Sequence, residues 1–264
     1  MNQTTMDIER IDRIARGPEA WRLATAAYEA LFDLLEGLEP AEWDRPTVCE
    51  PWTVADMVRH LVGAAASHAS LRETVRQQAW AARHKGEYNG SALDAWTALH
   101  VREHANLDPP ALVAELRAIA PRAVRARSRR PGLFGRIQVG LDQTGSLPEG
   151  SPARVSLGEL DTVIYTRDAW LHRIDIARAT GREPRLDPDV DGRIIEDVAV
   201  EWAGRHGAPF RLVLTGEAGG TYTRGSGEPE IHLDAVTFAW LLSGRGEPPP
   251  DMPGAELLRT RVVF

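Results

Sequence analysis

The sequence predicts an α+β protein of two domains: a helical bundle over residues 1–183 and a smaller α+β domain over 184–264. Three observations predict it. Apolar residues recur at three- and four-residue spacing through most of the first 180 positions, the period drops to two near Phe210, and 264 residues at 43% hydrophobic content can fill two cores.

The first helix spans Glu19 to Leu38, where Leu23, Ala27, Leu31, Leu34, Leu35 and Leu38 form one apolar face that stops at Gly37 to Pro40. A second begins after Thr53, which serves as N-cap with Asp56 three positions on as the acid of a capping box, and runs from Val54 into the eighties. Gly86 and Asn89-Gly90 break it, and two further helical stretches follow, Ala92–His104 and Pro110–Arg125, separated by Asp108-Pro109-Pro110. Residues 129–155 are rich in Pro, Gly and Arg, show no period, and read as a long excursion on the substrate side. Leu157–Thr180 is the next helix, closed by Gly181 in the left-handed stop position. Its apolar stripe carries Asp168, His172 and Asp175 within it or at its border, and polar groups there need partners.

Beyond Pro184 the reading is a helix over Asp187–His206, an alternating strand Phe210–Thr215, a turn at Gly219-Gly220 and a return strand Thr221–Thr223. A helix over Ala235–Ser243 and a last strand Arg261–Phe264 complete it.

Composition excludes several function classes. With 31 basic against 38 acidic residues the net charge is -7, and no basic block interleaved with aromatics offers a track for nucleic acid. No apolar run reaches the roughly 20 residues of a membrane span, and the first thirteen residues have no hydrophobic signal core, so a cytoplasmic protein without membrane association is expected. The single cysteine, Cys49, rules out a disulfide framework or a Cys-rich zinc module. It reads as a packed residue of the turn before a helix, not as a nucleophile. Lys85 is the one lysine among the basic residues, a bias typical of a GC-rich genome.

Asp168 and His172 stand four apart on one helical face, and an antiparallel bundle can bring His60 opposite them. Two imidazoles and a carboxylate suit one divalent metal with coordination positions left open, as in a catalytic site. The same spacing also serves a surface hydrogen bond or a paired core histidine, and spacing alone leaves both readings open. His100 and His104 form a rival pair, but Arg102, Glu103 and Asn106 around them indicate a solvated face. Asp175 reads as a partner of Arg173, Arg178 or Arg182 in preference to an acceptor behind a ligand imidazole, and Trp52 and Trp170 read as bundle core.

The run Pro46-Thr47-Val48-Cys49-Glu50-Pro51-Trp52-Thr53-Val54-Ala55-Asp56-Met57-Val58-Arg59-His60-Leu61 and the run Arg167-Asp168-Ala169-Trp170-Leu171-His172-Arg173-Ile174-Asp175-Ile176-Ala177-Arg178-Ala179-Thr180-Gly181-Arg182 resemble two signatures of one family. It is the mycothiol-dependent maleylpyruvate isomerase family, part of the DinB-like superfamily of metal-binding four-helix bundles. The resemblance implies a DinB-like bundle followed by a C-terminal α+β domain. It puts the metal ligands at His60, Asp168 and His172, with aspartate where a known isomerase has glutamate, and zinc as the first choice over nickel, iron or manganese. A functional arginine of the second domain falls on Arg245 in Leu241-Leu242-Ser243-Gly244-Arg245, where it would clamp a substrate carboxylate.

The function implied is a metal-dependent enzyme that activates mycothiol. S-transfer to an electrophilic small molecule is favoured over thiol-assisted cis-trans isomerisation, in a monomer or homodimer. A non-catalytic metal-binding or stress-response module and a metal hydrolase are the rival readings.

Overall fold

The computed structural model describes residues 4–141, 145 and 147–264. They form two compact units, one of residues 16–147 and 153–184, the other of residues up to 15, 148–152 and 185–264.

In the first unit, helix α1 (Pro18–Glu36) starts on a proline whose missing N–H costs nothing in a first turn. It buries Leu23, Ala27, Leu31 and Leu35 as its spacing predicts. Helix α2 (Val54–Ala69) opens on the expected capping box: Thr53 Oγ1 accepts from the Asp56 N–H at 3.2 Å, and the Thr53 N–H donates to Asp56 Oδ2 at 3.1 Å. The helix expected to run into the eighties is instead two. Ser70 ends α2 and caps α3 (Leu71–His84), a hydroxyl competing for backbone N–H groups where a helix former would have continued the ladder.

Helix α4 (Ala92–Glu103) and helix α5 (Pro109–Arg129) follow, the latter capped by Asp108. Within the excursion over 129–155, where the sequence shows no period, Gln138–Gly140 (β2) and Arg154–Ser156 (β3) pair antiparallel. Residues 142–144 and 146 of that excursion lie outside the described residues. The helix expected over 157–180 starts as a single α turn, widens into a π turn at Leu160–Ile164 and continues as α6 (Tyr165–Thr180), ending on Gly181 at φ 70°. A π turn rotates the residues that follow relative to an unbroken helix, a device common near functional sites.

Helices α1, α2, α5 and α6 share one core that includes Leu31, Phe32, Met57, Leu61, Leu116, Ala123, Ala169 and Ile176. This is the four-helix bundle, with α3 and α4 laid against α2. Among the described residues no helix is long and apolar enough to cross a membrane.

In the second unit, α7 (Arg193–His206) carries Trp202, fully buried against Phe210 and Phe238. Strands β4 (Phe210–Thr215) and β5 (Gly220–Arg224) form the expected hairpin, and α8 (Ala235–Leu242) follows as expected. Two strands of this unit escaped the sequence reading. Residues Thr5–Asp7 (β1) pair parallel with β5, and Glu230–Asp234 (β6) pairs parallel with β4, giving the order β1-β5-β4-β6.

The N-terminal residues expected in the bundle domain therefore belong to this unit. Asp197, fully buried on α7, accepts from the Ile14 N–H at 2.7 Å and from Arg13 Nε at 2.8 Å, which ties the segment down. The final strand expected at Arg261–Phe264 is absent. Buried Arg261 donates to the Leu241 carbonyl at 2.7 Å and Val262 to that of Leu242 at 3.1 Å, so the segment packs on the end of α8 without a ladder.

Candidate metal centre

Three side chains from two helices meet inside the bundle. Asp168 Oδ1 lies 3.4 Å from His172 Nε2 and 3.7 Å from His60 Nε2. The three residues offer ligand atoms all within 4.8 Å of one another. The i,i+4 spacing on α6 aligns Asp168 with His172, and the capped, buried helix α2 holds His60 across from them, with the half-buried Trp52 ring 5.0 Å from its imidazole. Both histidine side chains are 7–8% exposed, while Asp168 keeps 24%, so the opening of the site lies on the carboxylate's side.

Asp175 decides how His172 is oriented. Its carboxylate, buried and able only to accept, takes the Nδ1 proton of His172 at 3.1 Å. Asp175 therefore stands behind the imidazole and does not serve only the neighbouring arginines, the reading preferred from sequence. With Nδ1 so engaged, Nε2 faces Asp168 at a distance a small cation would bridge.

The charges agree. Burial works against ionised Asp168, yet the His172 and His60 imidazoles prevail and hold its carboxyl well below the usual range. For His172 burial disfavours the charge, and Asp168 and Asp175 overcome it, pushing the imidazole up to about 10. Without a metal, the group between Asp168 and His172 is a proton. The site calls for positive charge.

His100 does not lie on a solvated face. It is fully buried, its Nδ1 is 3.2 Å from His60 Nδ1, and its Nε2 is 2.9 Å from Gln77 Oε1. Burial and the adjacent His60 push it well below the usual histidine range, so it is neutral. The signal for its burial was present in Leu99 and Val101 beside it, but polar Arg102 and Glu103 one turn on obscured it. His104, half-buried, only approaches the His100 carbonyl, at 2.8 Å.

Trp170 is core, as expected, whereas Trp52 faces the site. Half-buried Cys49 packs against the bundle core, as expected, and its sulfur also lies within 4.8 Å of ligand atoms of His172 and Asp175.

A second polar layer adjoins the first. The His68 ring stacks on Tyr165 at 3.6 Å, and the Arg127 guanidinium lies 5.8 Å from the same ring and donates to the Asp161 carbonyl at 3.1 Å. Neither ring nitrogen of His68 has a partner among the described residues. Burial, then Arg127, pushes His68 well below its usual range.

Arg245 lies in the other unit, three residues past α8 and half-buried, its N–H 3.4 Å from the Trp240 carbonyl.

Comparison with known proteins agrees with this description. Residues 24–177 match the family model described as the mycothiol maleylpyruvate isomerase N-terminal domain. Uncharacterized proteins of two Mycobacterium tuberculosis strains, CDC 1551 / Oshkosh and ATCC 25618 / H37Rv, are 27% identical over 165 residues, which is 62% of this chain and 69% of theirs. In fold, the chain is similar to crystal structures of the mycothiol-dependent maleylpyruvate isomerase and of a histidine-to-alanine variant of it. Each has TM-score 0.53 and 18% identity, over 92% of this chain and 93% of that one. The match spans α2 and α6, which carry the three site residues, and on it the chain belongs to the mycothiol maleylpyruvate isomerase N-terminal domain family.

Proposed function

We propose that this protein is a metal-dependent enzyme that activates a low-molecular-weight thiol, mycothiol, for attack on an electrophilic small molecule. The observation that carries the reading is the approach of two imidazole Nε2 atoms to one carboxylate oxygen at 3.4 and 3.7 Å, at a site whose charges call for a cation. The donors His60, Asp168 and His172 fit a divalent ion of borderline softness, zinc first. When bound, such an ion supplies the Lewis acidity that keeps a thiol as thiolate near neutral pH.

The chain's own residues would do the rest. Asp168 and Asp175 fix the His172 ring from both sides, and the buried histidines exclude water from all but the carboxylate's side. The thiolate adds to an electrophilic carbon. If the adduct leaves, the enzyme is an S-transferase, the outcome we favour for a broad family. If the C–S bond breaks after rotation about the former double bond, it is an isomerase. Arg245, by its motif, is assigned to a substrate carboxylate.

The test is metal content by elemental analysis, together with mass spectrometry of the protein incubated with mycothiol and a panel of electrophiles. One divalent ion per wild-type chain, its loss in folded His172→Ala, its retention in Asp168→Glu, and thiol-dependent adducts or isomers are expected. A metal-free wild type would sink the reading. Metal without thiol-dependent turnover would favour a non-catalytic binding protein.

A further inference from the structure

Behind His60 runs a chain of hydrogen bonds whose proton positions can be worked out from its far end. Gln77 Nε2 is 3.1 Å from the Gly63 carbonyl and 2.9 Å from Glu73 Oε1, two groups that only accept, so this atom is the amide nitrogen. The other end of the amide is therefore the oxygen, and it accepts from Trp96 Nε1–H at 2.7 Å. The same oxygen is 2.9 Å from His100 Nε2, which must carry a proton to make that contact. His100 is fully buried, and a second proton on its ring would place a charge in the bundle with no carboxylate bonded to that ring among the described residues. Its Nδ1 thus presents a lone pair, and 3.2 Å away His60 Nδ1 must donate. His60 therefore keeps a proton on Nδ1, and Nε2 is the nitrogen turned toward Asp168 and His172.

The approach depends on a glycine. A Cβ at position 63 would come within 2.5–2.6 Å of the His100 ring, so a side chain there would push the ring off α2. Gly63 stands one turn beyond His60 on that helix, and its carbonyl also anchors Gln77.

We infer that His100, oriented by Gln77 and Trp96 and admitted by Gly63, is a positioning residue that fixes His60 as the Nδ1–H tautomer and so offers its Nε2 to a metal. The inference rests on the metal reading proposed above. His60 and His172 thus both keep a proton on Nδ1 by unlike means, a neutral relay behind one and a carboxylate behind the other. Partners of this kind typically alter metal affinity 10–100-fold.

The experiment uses the whole chain, labelled with nitrogen-15 in histidine, in metal-free, slightly alkaline buffer. The wild type is expected to show His60 protonated on Nδ1, and His100 protonated on Nε2 and bare on Nδ1. His100→Phe, which keeps a ring in the slot, and Gln77→Met, which keeps the volume, should let His60 redistribute its proton. Each should weaken zinc binding about 10–100-fold with one site per chain retained. Gly63→Ala should do the same without altering any member of the relay.

Wild-type His60 bare on Nδ1 would overturn the inference, and so would unchanged zinc affinity in folded His100→Phe. Should the first variant not fold, the other two decide by the same readouts. A wild type that takes up no zinc defeats the metal reading, and the ring-nitrogen spectrum, recorded without metal, still decides the tautomer.

Discussion

His172 and Asp175 lie three residues apart on α6, and their 3.1 Å contact aims the imidazole at Asp168. The sequence of one helix thus supplies the carboxylate proposed to hold a metal, the imidazole beside it, and the second carboxylate that orients that imidazole. His60 has no such acid on its own helix and depends on residues from α3 and α4.

Asp175→Asn keeps the shape and removes the charge, so the His172 ring loses part of its basicity and the carboxylate that holds its Nδ1 proton. Zinc affinity is expected to drop about 10–100-fold, with the fold retained. Competition against a chromophoric chelator measures it, and affinity equal to wild type would leave Asp175 only a structural role.

Glu42 and Arg182 join the turn after α1 to the end of α6, with contacts of 2.6 and 2.9 Å. The hydrogen bonds from Arg182, then that from the Glu39 backbone, pull Glu42 from 4.5 to about 2. A folded value below the unfolded one means the contribution is fully present above pH 4.5 and is lost as the pH falls toward 2. Glu42→Gln should therefore unfold at lower urea than wild type near neutral pH, the two midpoints converging by about pH 2. A gap that does not narrow with acid would assign the effect to packing.

Arg127 is fully buried, and its Nε and Nη2 have no partner among the described residues. Burial pulls the guanidinium down from its ordinary value. A buried charge so poorly compensated costs stability, and apolar replacement of such groups is often neutral or stabilising by about 1–4 kcal/mol. Arg127→Met is expected to match or exceed the wild type in a denaturant titration. A loss above about 2 kcal/mol would mean that the contact to Asp161 and the Tyr165 face outweigh the cost of desolvation.

How far the sequence reached depended on how local each cause was. Caps and stops were legible: Thr53 with Asp56 is a four-residue pattern, and Gly181 at φ 70° meets a backbone demand that no neighbour alters. The break at Ser70 was missed because the apolar pattern continues across it, and strands β1 and β6 because each is short and gains its ladder from residues far along the chain. The i,i+4 relation of Asp168 and His172 was determined by helical geometry, and so was the i,i+3 relation of His172 and Asp175, although the arginines beside Asp175 masked its partner. Only the tertiary structure brought His60 within 3.7 Å of Asp168 and set His100, Gln77 and Trp96 behind it. Helical periodicity specifies which residues share a face. Which faces meet is decided by packing the whole bundle, and at Gly63 by the absence of a single Cβ.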